Sequence, residues 1–103
     1  MSNTHPSDPD LLLEQKIQIK KPSMYKVILL NDDFTPMEFV VDILVQIFHL
    51  TEEQAVHIML AVHQDGLAVA GVYTFEIAET KVTQVLERAR RQQHPLKCRA
   101  EKD

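Results

Sequence analysis

The chain has 103 residues, 45% of them hydrophobic and 25% charged, which describes one ordinary globular domain with a small core. Its formal net charge of −4 argues against a binder of nucleic acid or of an anionic membrane, Arg88, Arg90 and Arg91 being the one local basic group, and no apolar run is long enough to span a bilayer. A single cysteine, Cys98, excludes an internal disulfide and fits a reducing cytoplasm, the expected setting; nothing in the sequence calls for more than a monomer, the expected state.

Residues 1–10 mix Ser, Asn, Thr and Asp with two prolines and cannot bury enough apolar surface to offset the entropy of ordering. Leu11 to Ile19 alternate only weakly, and the expectation is a flexible N-terminal extension over 1–21 followed by a single domain over 22–103. Met24 to Leu30, rich in β-formers and ending in Asn31-Asp32-Asp33, predicts a first strand. Thr35-Pro36-Met37-Glu38 has the spacing of a capping box with proline at the first helical position, so a helix is expected to start there and run to Phe48. Its polar positions Glu38, Asp42, Gln46 and His49 form one narrow stripe; the helix therefore either buries two faces or offers one to a ligand or partner.

Thr51-Glu52-Glu53-Gln54 is a second capping box and opens a helix to about Gln64, stopped at Asp65-Gly66. Ala55, Met59, Val62 and His63 share one side of it, which places a histidine at the end of an apolar stripe. Leu67 to Tyr73 reads as a buried second strand in which Gly71 marks a close approach. Thr74 can cap a third helix, with Ala78, Val82, Val85, Leu86 and Ala89 at helical period, and His94-Pro95 ends it. Leu96 and Cys98 alternating with Lys97 and Arg99 predict a half-exposed edge strand. The order β-α-α-β-α-β predicts an α+β fold, helices packed on a small three-stranded antiparallel sheet.

With two glycines the chain cannot form a phosphate-binding glycine loop, and the spacings of metalloprotease and serine-hydrolase motifs are absent. His57 and His63, six apart, fall on different helix faces, so neither a metal centre nor a cofactor site is expected; Asp33 with His63 lacks a nucleophile to activate. Asn31, Asp32 and Asp33 taken alone read as a turn, His63 alone as a core histidine, and Met37 and Met59 as core filler. Together with a surplus apolar helix face they also suit a pocket that is anionic at one end and apolar at the other.

The block Val27 to Val41, with its Asn-Asp-Asp-Phe-Thr-Pro-Met-Glu-Phe-Val core, resembles the ClpS family, bacterial adaptors that hand N-degron substrates to the Clp protease. Met59 to His63, Gly66, Gly71 to Thr74, Ala78 to Lys81 and His94 to Leu96 extend the resemblance over roughly Lys21 to Glu101. The resemblance implies a non-enzymatic protein whose pocket takes the first residue of a chain, with Asn31, Asp32, Asp33 and His63 at the α-amino group. It implies a side-chain pocket lined by Leu29, Leu30, Thr35, Met37, Val40, Met59, Val62 and Leu96, Met37 standing as a gate against β-branched residues. First residues Leu, Phe, Tyr or Trp are the implied ligands, and Glu76 and Lys81 the implied contacts with the N-terminal domain of a ClpA-type unfoldase; the extension is implied in delivery. A free α-amino group, mostly charged near neutrality with a reference pKa of about 7.7 to 8.0, offers three donors where an internal amide offers one. A ring nitrogen of His63 accepts only when unprotonated, so acidification is expected to weaken binding. The alternative from another class is an interaction module that uses the apolar face of the first helix without regard to chain ends.

Overall fold

The computed structural model describes residues 22–103; the extension expected over 1–21 lies outside them. Strand β1, Met24–Leu30, is the middle strand of an antiparallel sheet, with β2, Leu67–Thr74, on one side and β3, Lys97–Lys102, on the other. Its aliphatic residues fit that place: Val27 and Leu29 are fully buried on the helix side, and Ile28 is buried between its cross-strand neighbours Val69 and Arg99. Helices α1, Met37–Gln46, and α2, Glu52–Asp65, pack on each other, while α3, Phe75–Arg91, crosses all three strands. The element order and the α+β class are those expected from the sequence.

Strand β2 departs from the fully buried strand that its composition suggests. Helices cover one face of the sheet, so Leu67, Val69 and Val72 stand 44%, 40% and 43% exposed on the other. A β-bulge at Ala70 sets this pattern: Val27 pairs with Gly71 but Ile28 pairs with Val69, and the extra residue reverses the in-out alternation. Val69 and Val72 thereby share the open face, while Ala70 is buried and Tyr73 half-buried against the core. Gly71 does mark a close approach, for a Cβ there would collide with the ring of Tyr73.

The helix ends are built unequally. At α2 the Thr51 hydroxyl accepts from the Gln54 amide at 3.1 Å and the Gln54 side chain accepts from the Thr51 amide at 3.0 Å, the reciprocal capping box read in the sequence. Its C-terminus closes on Gly66 at φ 89°, where a side chain would be strained. Thr74 occupies the N-cap position of α3 without a side-chain cap bond. Thr35 does not cap α1 either: Pro36 holds that position, and the helix opens on hydrogen bonds from Phe39 and Val40 to the Pro36 carbonyl.

Helix α1 ends at Gln46 rather than Phe48, and His49 takes a left-handed φ of 58° to turn the chain. Val40, Ile43 and Leu44, followed by Ile47 and Phe48, are buried, so the apolar surplus of this segment goes mainly into the core. Its polar stripe, Glu38, Asp42, Gln46 and His49, faces solvent as expected. Lys81 on α3 ties the end of α1 down, its Nζ donating to the Ile47 carbonyl at 2.6 Å and standing 5.7 Å from the centroid of the Tyr73 ring.

Candidate functional site

The turn after β1 is shaped by Asp32. Its carboxylate accepts hydrogen bonds from the Phe34 amide at 2.8 Å, the Thr35 amide at 2.7 Å and the Thr35 hydroxyl at 2.6 Å. Asp-x-x-Thr thus forms a side-chain-closed turn that takes the Thr35 hydroxyl before it can serve the helix. Partial burial would raise the Asp32 pKa, but the Thr35 hydroxyl, the Phe34 and Thr35 amides and the nearby charge of His94 outweigh it and hold the carboxyl below its ordinary value. The turn is also anchored behind, where the Asn31 amide donates to the Gly66 carbonyl at 2.9 Å and so joins the end of β1 to the end of α2.

Between this turn and the two helices lies a cavity of about 180 Å³. Asn31, Asp32, Asp33 and Thr35 contribute one wall. Met37 and Val40 come from the first turn of α1, and Met59, Val62 and His63 from the last two turns of α2. Val62 and Val40 are buried and form an apolar floor, whereas Asn31, Asp33 and His63 are exposed at the rim and Met37 is 45% exposed. Among the described residues, no hydrogen bond engages the side chains of Asn31, Asp33 or His63. The cavity therefore has polar groups ready for a donor at one end and apolar side chains at the other.

All four residues expected at an amino group border this cavity, with five of the eight expected around a side chain. Leu29, Leu30 and Leu96 do not. Leu29 points to the helix side of the central strand and is fully buried in the core, and strand alternation sends Leu30 to the opposite face. Leu96 is buried under the end of α3 and borders a separate hollow with Phe34 and His94. The bracing by Asp32 goes beyond the expectations from sequence; its signal is the spacing Asp32 to Thr35, which competes with the Thr35 to Glu38 spacing for the same hydroxyl.

Glu76 and Lys81 are not brought together. Five positions apart on α3 they diverge by about 140° around the helix axis, and they border different hollows, Glu76 with Tyr25 and Phe75, Lys81 with Gln46 and Arg88. Among the described residues no three His, Cys, Asp or Glu side chains cluster as a metal would need, and no helix is long and apolar enough to cross a membrane.

Fold and cavity together define a small α+β binding domain with an acid-rimmed apolar recess. The family model for the ATP-dependent Clp protease adaptor protein ClpS matches residues 20–99. An ATP-dependent Clp protease adapter protein ClpS from Hyphomonas neptunium is 61% identical over 94 residues, which is 91% of this chain and 80% of the relative. One from Maricaulis maris is 62% identical over 84 residues, covering 82% of this chain and 77% of the relative. Among solved structures, Agrobacterium tumefaciens ClpS2 bound to L-phenylalaninamide superimposes with a TM-score of 0.78 at 38% identity, over 80% of this chain and 99% of that one. The chain belongs to the ClpS family of Clp protease adaptors, and is an adaptor rather than an enzyme.

Proposed function

We propose that the cavity receives the first residue of a substrate chain, its charged α-amino group at the rim and its side chain, Leu, Phe, Tyr or Trp, on the apolar floor. The observation that carries this reading is the joining, in one cavity of about 180 Å³, of Asn31, Asp33 and His63 with Val40, Met59 and Val62. An apolar cavity of roughly 150 Å³ accommodates a benzene-sized group. Burial of one large apolar side chain contributes about 1.5 to 3 kcal/mol, and each hydrogen bond to the charged amine about 1.5 to 3 kcal/mol. Less the cost of association, the sum corresponds to roughly micromolar affinity. Such binding selects a chain end and still releases it. The similar ClpS2 holding L-phenylalaninamide, a free amine on an aromatic residue, supports the same reading.

Asp32 acts in this scheme mainly by shaping the turn and adding negative charge, because its carboxylate is already occupied by three donors. Met37, at the mouth, limits branching next to the backbone of the ligand. The bound N-degron chain is delivered in the cytoplasm to a ClpA-type unfoldase, whose N-terminal domain meets the monomeric adaptor around Glu76 and Lys81. Residues 1–21 serve as the delivery segment of the domain formed by 22–103. The competing interaction-module reading needs a free apolar face on α1, and Val40, Ile43 and Leu44 are spent in the core.

The test is a fluorescence anisotropy titration of a Leu-starting peptide against the same peptide acetylated at its amine, repeated with Asp33→Ala. Saturable binding lost on acetylation and weakened in the variant is the expected result. Equal binding of both peptides would refute the proposal.

A further inference from the structure

Phe34 lies between Asp33 and Thr35, which both line the cavity, yet it contributes nothing to the core and is 79% exposed. Its backbone is fixed, since its amide donates to Asp32, so the ring is presented outward from a braced turn rather than from a loose loop. Beside it is an open hollow of about 590 Å³, walled by Leu86, Arg90, His94, Pro95 and Leu96 from the end of α3 and the approach to β3. Leu86 is 41% exposed there. His94 is held in place by its amide on the Ala89 carbonyl at 2.8 Å and by edge contact of its ring with Phe39 at 4.5 Å between centroids. The turn over 31–35 is thus a partition, with the cavity on one side and an apolar, cation-bearing hollow on the other.

A chain whose first residue fills the cavity leads its next residues out past the same partition. Consecutive Cα atoms are about 3.8 Å apart, and the Cα of Phe34 is one such step from those of Asp33 and Thr35. Residues two and three of the ligand therefore have the reach to meet the Phe34 ring. The chemistry of the hollow favours an aromatic side chain: Phe34 and Leu86 offer apolar surface, and Arg90 offers a guanidinium to a ring face. A carboxylate would gain little from Arg90, because Asp32 and Asp33 stand on the partition itself.

We propose that the hollow beside Phe34 is a second subsite, which takes an aromatic side chain from the second or third residue of the chain whose first residue occupies the cavity. This rests on the reading of the cavity as a first-residue site. It makes Phe34 a specificity-determining residue for the ligand positions after the first.

Three peptides otherwise identical, beginning Leu-Ala-Ala, Leu-Phe-Ala and Leu-Ala-Phe, are titrated by anisotropy against the full chain and against Phe34→Ala. The substitution removes an exposed ring and keeps the amide bond to Asp32, and a thermal melt verifies that the fold is retained. One of the phenylalanine peptides is expected to bind about 3- to 10-fold tighter than Leu-Ala-Ala to the unaltered protein. In Phe34→Ala that advantage falls to within about 2-fold, while Leu-Ala-Ala itself is little affected. An equal advantage in both proteins, or none in the unaltered one, overturns the subsite and leaves the cavity reading intact. Failure of Leu-Ala-Ala to bind the unaltered protein overturns both.

Discussion

Replacing Asp32 by alanine removes one acceptor from three donors at once, the Phe34 amide, the Thr35 amide and the Thr35 hydroxyl, all within 2.6 to 2.8 Å of it. A hydrogen bond to a charged acceptor contributes about 1.5 to 3 kcal/mol when buried. The Phe34 donor is exposed and the Thr35 donors are half-buried, so water replaces much of what is lost and the total discounts to about 2 kcal/mol. In a domain of under 100 residues each kcal/mol lowers Tm by about 4 to 8 °C, which predicts a fall of about 8 to 16 °C. Thermal unfolding followed by far-UV circular dichroism at pH 7 measures it.

Asp33→Ala provides the contrast, because Asp33 is exposed and braces nothing among the described residues; it should cost affinity with little change in Tm. The pH dependence has a definite sign. The folded-state pKa of Asp32 is depressed, so its contribution is fully present above the ordinary aspartate value of about 3.9 and is lost as pH falls through the lower folded value. The stability gap between the unaltered protein and Asp32→Asn should then persist at pH 5 and narrow only in stronger acid. A Tm for Asp32→Ala within about 2 °C of the unaltered protein would refute the bracing argument; the turn would then be held by its backbone alone.

Leu29→Ala empties a fully buried position and should cost about 2 to 5 kcal/mol, read as a shifted urea midpoint, with any loss of peptide binding tracking the unfolded fraction. Gly66→Ala forces a side chain to φ 89° at the end of α2 and should destabilise by about 1 kcal/mol in the same titration. Met37→Ala opens the mouth of the cavity and should admit peptides beginning with Ile or Val, which anisotropy would detect against the Leu-starting reference. Lys81→Met leaves the Ile47 carbonyl without its donor, so it should lower Tm as well as unfoldase binding, whereas Glu76→Ala should lower unfoldase binding alone. The Cys98 thiol, pushed by burial to about 12, should resist a thiol-specific reagent until the protein unfolds.

Features decided within a few residues were legible in the sequence. The Thr51 capping box, the Gly66 stop and the strand character of Met24 to Leu30 are all local and all stand in the structure. Thr35 misled for a local reason too: one hydroxyl belongs to two overlapping motifs, and the charged carboxylate of Asp32 takes it over the first turn of α1. The exposure of Leu67, Val69 and Val72 was beyond periodicity, because it depends on the helices covering one face of the sheet and on the bulge at Ala70. Leu29 and Leu96 show the same limit at the site. Leu29 lies two residues before the cavity-lining Asn31 but points into the core, and Leu96 is buried beneath α3 beside a separate hollow.

The position of the cavity follows from the polarity of the elements that meet there. A cation is disfavoured at a helix N-terminus and favoured at a C-terminus, by about 0.3 to 1 kcal/mol in either case. Helix α1 turns its N-terminal residues Met37 and Val40 to the cavity, and both are apolar, which suits that end to the side chain in the proposed reading. Helix α2 brings His63 from its C-terminal turn, the end that carries the negative partial charge of the helix dipole, to the polar rim. Asp32 engages the Phe34 and Thr35 amides just ahead of α1, which leaves Asp33 and Asn31 at the rim for the amino group that the proposed reading places there. The Asn31 amide bond to the Gly66 carbonyl then keeps the acidic turn and the carbonyl end of α2 at a fixed spacing. Both sources of negative potential consequently border one cavity, and the proposed discrimination between a chain end and an internal amide depends on that convergence more than on a deeper pocket.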